Sequence, residues 1–334
     1  MYIALYLTLK GNYYIDSMRL FIILIYSISL IQFVQCQSPW DKEKIEVKKN
    51  QENNTIISAK SIFSEGWSEL PQTIFWKKIM KLSEDSVLIN IASSRTIIKK
   101  IKKTEWNNQP EGKKEDFKDS IREIYGLDKN EKIYCTSGKK NFYRFDIIYP
   151  YISRGIESFE KFNVDPWYSQ SILLIESPGQ LTKSKSGAYG VFQLMPKVAR
   201  DQGLTVNQDI DERSDFERSA YAASQLLKKT CIPQAKKILD SKKIKYKEDD
   251  IWFRLFVLHI YHAGAKNVAA VFNKIDPKKG GQYLIQEMWQ NTAANFKNNS
   301  QNYTQVALAA QIILDEYIHS NYDYILDCVS MDNN

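Results

Sequence analysis

The chain has 334 residues, of which 43% are hydrophobic and 25% are charged. This is a globular composition, which excludes a disordered or fibrous protein. The net charge of +7 is modest for this length, and no basic arm dominates the lysines, which argues against a nucleic-acid-binding protein. Three histidines and four cysteines leave few ligands for a transition metal, so we predict neither a metal nor another cofactor.

The amino end carries an uncharged apolar run at residues 21–34, preceded by Arg19. The run is short for a helix that spans a membrane, which needs about 20 residues. The triplet Val34-Gln35-Cys36 at the end of the run resembles a cleavage site. We therefore predict that residues 1–36 are a signal peptide or a lipoprotein signal outside the fold. A membrane anchor and lipidation of Cys36 stay open, and each of these interpretations predicts export from the cytoplasm.

The remaining cysteines, Cys135, Cys231 and Cys328, allow at most one internal disulfide, and three free thiols are the alternative. His259 and His262 lie three residues apart with no carboxylate or cysteine beside them. This spacing does not indicate a zinc site.

The next residues indicate two segments of different character. Residues 37–60 are polar and predict a tether, whereas residues 61–135 mix apolar and lysine-rich stretches and predict a small, mostly helical accessory region. The lysines are typical of a solvated face, and contact with an anionic wall, a membrane or a partner is the alternative.

From residue 136 to about 325 the patterns predict an all-α domain, because no strand run of comparable strength occurs after residue 150. Asp165-Pro166 predicts a helix start, since Asp is a good N-cap and proline fits the first helical position. Other signals predict a helix end at residues 177–179, a loop at 180–190, helices over 192–201, 251–262 and 303–319, a stop at Gly264, and a capping box at Ser214–Glu217 for a helix through Leu227.

Glu176 is the residue that stands out chemically. It ends an apolar helix, where the carbonyl end of the helix and apolar neighbours both disfavour a charged carboxylate. Both effects raise a carboxyl pKa, and an acid that is protonated near neutral pH can donate a proton to a leaving oxygen. A solvated glutamate at a helix end is the alternative.

Five motifs follow one another in order around Glu176. They are Glu176-Ser177, the loop Ser184 to Gly190, the segment Phe192 to Pro196, Tyr261-His262-Ala263-Gly264, and Gln301-Asn302-Tyr303. As an ordered set over about residues 140–320, they resemble soluble-type lytic transglycosylases of the goose-lysozyme-like superfamily. The stretch from Gly203 to Asn207 and the triplets Asp211-Glu212-Arg213 and Gln301-Asn302-Tyr303 are similar to the membrane-bound D-type branch.

The resemblance implies a mainly α, lysozyme-like catalytic domain that acts on peptidoglycan glycan strands in the periplasm. It implies that Glu176 is the only catalytic acid and base, and that the substrate supplies the nucleophile. The substrate-binding residues it implies are Ser184, Gln193, Met195, Tyr261, His262 and Tyr303, with the two tyrosines closing over Glu176.

His262 departs from the family pattern, which has an asparagine there; imidazole can also donate or accept a hydrogen bond. A goose-type lysozyme-like hydrolase, with a second carboxylate across the groove, is the alternative within enzymes. A non-catalytic wall-binding or scaffold protein is the alternative from another class.

Overall fold

In a computed structural model of the protein, the described residues are 40–49, 52–176, 183–321 and 324–327. The backbone divides into two compact units, Met1–Asp41 and Lys42–Asn334, and the α-helices and β-strands of the described residues belong to the second. The predicted signal segment 1–36 with Cys36, the predicted helix end at 177–179, part of the 180–190 loop, and Cys328 all lie outside the described residues. Within the described ranges, no helix is both long and apolar enough to cross a membrane.

The second unit is mostly helical, which agrees with the predicted fold class. Its α-helices, in chain order, are α1 (Lys60–Ser64), α2 (Pro71–Lys81), α3 (Lys103–Asn107), α4 (Glu111–Ile124), α5 (Phe145–Lys161), α6 (Pro166–Glu176), α7 (Pro196–Asp201), α8 (Phe216–Leu226), α9 (Ile232–Asp240), α10 (Ile251–Ala263), α11 (Ala265–Ile275), α12 (Gln282–Gln290) and α13 (Asn298–Asn321). A π-helical segment, Leu227–Cys231, joins α8 to α9.

Two small antiparallel sheets accompany the helices. The first has the strand order β2–β1–β6 and is made of β1 (Lys44–Lys49), β2 (Glu52–Ile57) and β6 (Tyr324–Asp327). The second has the order β4–β3–β5 and is made of β3 (Ser86–Ile91), β4 (Ile97–Lys102) and β5 (Ile133–Ser137).

The prediction of a polar tether over 37–60 is wrong for residues 44–49 and 52–57, which are the paired strands of the β1–β2 hairpin. Ile45 and Val47 are buried in the main core, so the charged residues that alternate with them along β1, Lys44, Glu46 and Lys48, lie on the other face. The side-chain amide of Gln170 on α6 holds the hairpin, because it bonds to both the N–H and the carbonyl of Ile57, each at 2.9 Å.

The region 61–135 contains a sheet as well as helices, and it is shared between two cores. Helix α2 packs on α13, and its Trp76 indole donates a 3.0 Å hydrogen bond to Gln305. The two sheet residues Val87 and Ile89 belong to a small separate core with α3 and α4, whereas Leu88, between them on β3, belongs to the main core. We call residues Ser86–Ser137, with their sheet and two helices, the α/β module.

The strongest helix signals of the sequence are confirmed. Asp165 caps α6 by accepting a 2.9 Å hydrogen bond from the Trp167 N–H. Helix α10 is buried along Ile251–Ile260 and stops at Gly264, whose φ of 79° lies in the left-handed region that favours glycine.

Two helix starts differ from the prediction. Helix α7 begins at Pro196 rather than near residue 192, because Leu194 forms an antiparallel bridge with Tyr189. The N-cap of α8 is Asp215, which accepts from the Arg218 N–H, while the Ser214 hydroxyl closes the preceding turn on Asp211.

A buried ion-pair cluster joins the start of the second unit to α6 and α10. Arg254 is 1% exposed and donates to Asp165 at 2.7 Å and to Glu43 at 2.7 Å. The two carboxylates hold the pKa of Arg254 above its usual value, so the guanidinium remains charged. Removal of the arginine would leave two carboxylates without their cation in a site that water reaches poorly.

We therefore expect Arg254→Met to lower the free energy of unfolding by about 3 kcal/mol or more. Lys236→Met is the matched control, because the Lys236–Glu248 pair lies at the surface and contributes under about 1 kcal/mol. Urea denaturation at pH 7 measures both variants. Equal losses for the two would contradict the assignment of Arg254 as a buried anchor.

Candidate active site

Glu176 is the last residue of α6, and the rest of that helix, Pro166–Ile175, is buried. The carboxyl group therefore lies at the negative end of the helix and against apolar neighbours, while it keeps partial exposure to a groove. Burial raises the pKa of Glu176 from 4.5 to about 7. At neutral pH a large fraction of the molecules thus carries a protonated Glu176.

Tyr303, near the start of α13, is the described partner of this acid. Its hydroxyl donates a 2.7 Å hydrogen bond to Oε1 of Glu176, which lowers the pKa of Glu176 and partly offsets burial. Burial and the adjacent Glu176 hold the pKa of Tyr303 well above its usual value, so the phenol stays a donor. The His262 ring stacks on the Tyr303 ring with centroids 4.2 Å apart.

Tyr261 lines the same pocket as Glu176, and its hydrogen bond goes to the neighbouring loop. Its hydroxyl donates a 2.7 Å hydrogen bond to the carbonyl of Phe192 rather than to Glu176. The Phe192 ring is fully buried and lies 5.6 Å from the Phe159 ring and 6.0 Å from the Phe216 ring. Tyr261 therefore fastens the loop before α7 to α10.

That loop is a compact turn built around two predicted site residues. The Ser184 hydroxyl accepts a 2.9 Å hydrogen bond from the Ala188 N–H, and the Ser184 carbonyl accepts from Gly187 at 2.9 Å. Gln193 has a φ of 46°, which is unusual for a residue with a side chain, and its side-chain amide donates to the Gly190 carbonyl at 2.9 Å. Both side chains thus shape the loop that borders Glu176.

Arg213 is a structural residue of the site to which the sequence assigned no role. It is 2% exposed and its Nη1 donates to the carbonyls of Gly187 and Leu194, each at 2.8 Å. Asp211 pairs with the same guanidinium at 2.7 Å, and Tyr189 lies 5.5 Å from it. The triplet Asp211-Glu212-Arg213 was visible as a motif, but the two carbonyls it binds come from a distant loop.

These elements enclose a pocket of about 310 Å³. Six of the seven predicted site residues line it, and Tyr303 reaches the site through Glu176. The lining residues are Glu176, Ser184, Ser186, Ala188, Gln193, Leu194, Met195, Val198, Leu226, Tyr261 and His262. Met195 is 40% exposed, so it presents an apolar surface to the groove rather than filling the core.

One further residue near the acid gave no sequence signal. Tyr143 is buried just before α5, and burial together with the nearby Glu176 raises its pKa above the usual value. Among the described residues, no group of three or more His, Cys, Asp or Glu side chains is placed to hold a metal ion.

Residues 156–283 match the family described as Transglycosylase SLT domain. The match takes in Glu176, the pocket loop and Tyr261, but it covers well under half of the chain and stops before Tyr303. It indicates a glycan-cleaving enzyme of the lyase type whose substrate is peptidoglycan. The particular family it supports is that of the lytic transglycosylases with an SLT domain. A search of curated proteins finds no match to the chain.

Two glycines of the loop test its geometry. Both have left-handed backbones, with a φ of 90° at Gly187 and 81° at Gly190. A Cβ at Gly190 would lie 1.9 Å from the Arg213 carbonyl oxygen, whereas a Cβ at Gly187 would meet nothing within 4 Å. We expect Gly187→Ala to cost about 1–2 kcal/mol of backbone strain and Gly190→Ala clearly more. Urea denaturation compares them, and equal costs would contradict the close approach of Arg213.

The raised pKa of Glu176 predicts a pH dependence of stability. The unfolded carboxyl ionises near 4.5 and the folded one near 7, so the folded state binds more protons between these values. Stability is therefore lost as pH rises from about 4.5 to 7, by roughly 2–3 kcal/mol from this group.

Glu176→Gln should abolish that part of the pH dependence, because the amide does not titrate. Urea denaturation at several pH values gives the difference curve, and Glu115→Gln, on the surface of α4, controls for the loss of one charge. Parallel curves for the wild type and Glu176→Gln would mean that the carboxyl group is not desolvated.

Proposed function

We propose that the chain is a lytic transglycosylase that cleaves the β-1,4 bond between N-acetylmuramic acid and N-acetylglucosamine and leaves a 1,6-anhydro end. The observation that carries this proposal is the single carboxyl group of the pocket. Glu176 is the one acid among the described lining residues, and residues 177–182 contain no Asp or Glu. Since a two-carboxylate glycosidase needs a second acid, a nucleophile supplied by the substrate fits this pocket better.

In the first step, Glu176 donates its proton to the oxygen that links the two sugars. A pKa of about 7 keeps enough of the acid protonated at neutral pH and makes it a stronger donor than water. The Tyr303 hydroxyl occupies Oε1, and the second carboxyl oxygen accepts no hydrogen bond from a described residue. That second oxygen is the one we assign to proton transfer.

In the second step, the ionised Glu176 removes the proton from the C6 hydroxyl of the muramic sugar, and the C6 oxygen attacks C1. The acetamido group of the same sugar stabilises the positive charge at C1 before this attack. An intramolecular nucleophile gains a large rate advantage from proximity. The Tyr303 hydrogen bond stabilises the carboxylate between the two proton transfers.

The other predicted residues would hold the sugars. The Ser184 hydroxyl accepts from Ala188 and lies 3.2 Å from the Ser186 hydroxyl, where either oxygen can be the donor. Both hydroxyls line the pocket, and we assign this pair to a sugar oxygen. Met195 offers an exposed apolar surface, and Tyr261 and His262 form the wall next to the acid. Gln193 is held by the loop and shapes the groove.

We also propose that the chain is closest to the D-type branch and is exported to the periplasm, where its substrate lies. The support is the sequence alone: the Asp211-Glu212-Arg213 and Gln301-Asn302-Tyr303 triplets, and the apolar run 21–34 ending near Cys36. Attachment to the membrane through Cys36 or through the apolar segment belongs to the same proposal.

Digestion of purified peptidoglycan followed by mass spectrometry tests the activity. We expect products lighter by one water than hydrolysis products, because the anhydro bond replaces the attack of water. Glu176→Gln should reduce product formation by about 100-fold or more, since it removes the proton donor. Tyr246→Phe, which removes a hydroxyl bonded to the distant Asp240, is the control for a general effect of substitution.

Other products would redirect the assignment. Hydrated reducing ends would identify a lysozyme-like hydrolase and require a second carboxylate. No products from folded protein that still sediments with peptidoglycan would favour a non-catalytic binding or scaffold protein.

A further inference from the structure

Arg95, in the β3–β4 turn of the α/β module, is a buried cation in an aromatic cage. It is 6% exposed, and its guanidinium carbon lies 5.4 Å from the Phe75 ring, 6.0 Å from the Trp76 ring and 5.7 Å from the Tyr134 ring. No carboxylate of a described residue lies within ion-pair distance of it. Burial lowers the pKa of Arg95, so the cage holds a charge that water would solvate better.

The backbone of Arg95 adds a second cost. Its φ is 60°, a left-handed conformation that residues with side chains seldom adopt and that glycine or asparagine usually fills. A strained backbone and an unpaired buried charge at one position are together unfavourable for folding. They indicate that this guanidinium does something that a glycine in the same turn could not.

The guanidinium bonds to the start of α13. Arg95 Nη2 donates to the side-chain oxygen of Asn302, and Asn298, one turn earlier, lies at 3.5 Å from the same nitrogen. Asn302 is the residue immediately before Tyr303, whose hydroxyl bonds to Glu176. One peptide bond and two hydrogen bonds therefore connect the α/β module to the acid.

We propose that Arg95 is a positioning residue, which fixes the start of α13 and thereby holds the Tyr303 hydroxyl on Glu176. The catalytic consequence rests on the function proposed above, whereas the geometric part does not. Both Arg95 and Tyr303 lie outside residues 156–283, so the family match contains neither partner. The α/β module thereby gains a role in the reaction through Arg95.

Neighbouring contacts support this role over simple adhesion. Gln301 donates to the Asn291 carbonyl at 3.1 Å, and Gln305 accepts from the Trp76 indole at 3.0 Å. These side chains restrain α13 on either side of Tyr303, and Arg95 restrains it at the adjacent residue. Loss of Arg95 alone leaves these anchors, so the helix stays in place while Tyr303 gains freedom.

The test measures the titration of Glu176, because a purely structural contact between the α/β module and α13 would not change the pKa of this acid. The titratable side chains of described residues that face this acid are Tyr143 before α5, Tyr261 and His262 on α10, and Tyr303 on α13. Arg95→Met alters none of them and keeps an apolar chain in the cage. The carbon-13 NMR titration of the glutamate carboxyls, with Glu176→Gln for assignment, reports the pKa directly.

In Arg95→Met we expect the pKa of Glu176 to rise by about half a pH unit, because the Tyr303 hydrogen bond that lowers it is weakened. On soluble glycan strands, kcat should fall about 5- to 10-fold with KM nearly unchanged, and the alkaline limb of the kcat profile should move up equally. Leu88→Ala is the control, since it removes a buried contact of β3 with the main core without touching Asn302. Leu88→Ala should lower the melting temperature and leave unchanged both the pKa of Glu176 and the alkaline limb of the kcat profile.

Two results would overturn the inference. One is a titration of Glu176 that is the same in Arg95→Met as in the wild type, in a protein that is folded by circular dichroism. The other is a further shift on adding Arg95→Met to Tyr303→Phe, because an effect that acts through the hydroxyl must vanish without it. If the wild type yields no anhydro products but the titration still shifts, the proposed function fails and the positioning role stands. If the wild type yields anhydro products but Arg95→Met leaves the titration of Glu176 unchanged, the proposed function stands and the positioning role fails.

Discussion

A carboxyl group buried at the carbonyl end of a helix is unfavourable when it is ionised. The arrangement of the site depends on holding Glu176 in that position. Tyr303 can donate to it only if α13 lies against α6. A line of buried polar contacts holds the two helices together, since Gln311 accepts from Gln170 and donates to Ser171 at 2.8 Å. Both amides are hydrogen-bonded, Gln170 to Ile57 as well as to Gln311, so they fix the relative position of the helices without being left unpaired themselves.

Local signals allowed most of the main helices and the acid itself to be predicted. Asp165-Pro166 and Gly264 act on the backbone within a few residues, so their effect is visible without the fold. The position of Glu176 after an apolar helix likewise predicted a raised pKa, which the structure bears out. The ordered motifs also predicted Ser184, Gln193 and the other site residues that line the pocket with Glu176. Their roles in the reaction remain proposals.

The contacts that could not be predicted from the sequence are those between segments far apart in the chain. Ile45 and Val47 alternate as a strand requires, but the lysines and asparagines around them have the composition of a tether. Only burial in the main core, with β2 packed on α5 and α6, makes them a hairpin. Arg213 binds carbonyls of a loop some twenty residues away, and Arg95 binds Asn302 across about two hundred. An arginine that hydrogen-bonds to backbone or amide oxygens leaves no periodic pattern, so its partner cannot be deduced from spacing.

Strand β3 has a consequence for how the molecule unfolds. Because Leu88 is buried in the main core and its two neighbours in the core of the α/β module, the strand cannot be withdrawn from one core without opening the other. The module is therefore not a separable foldon, and the amide protons of β3 should exchange with solvent only through global opening. The α/β module therefore cannot be deleted, swapped or grafted as a unit. Its small core is stable only together with the main core.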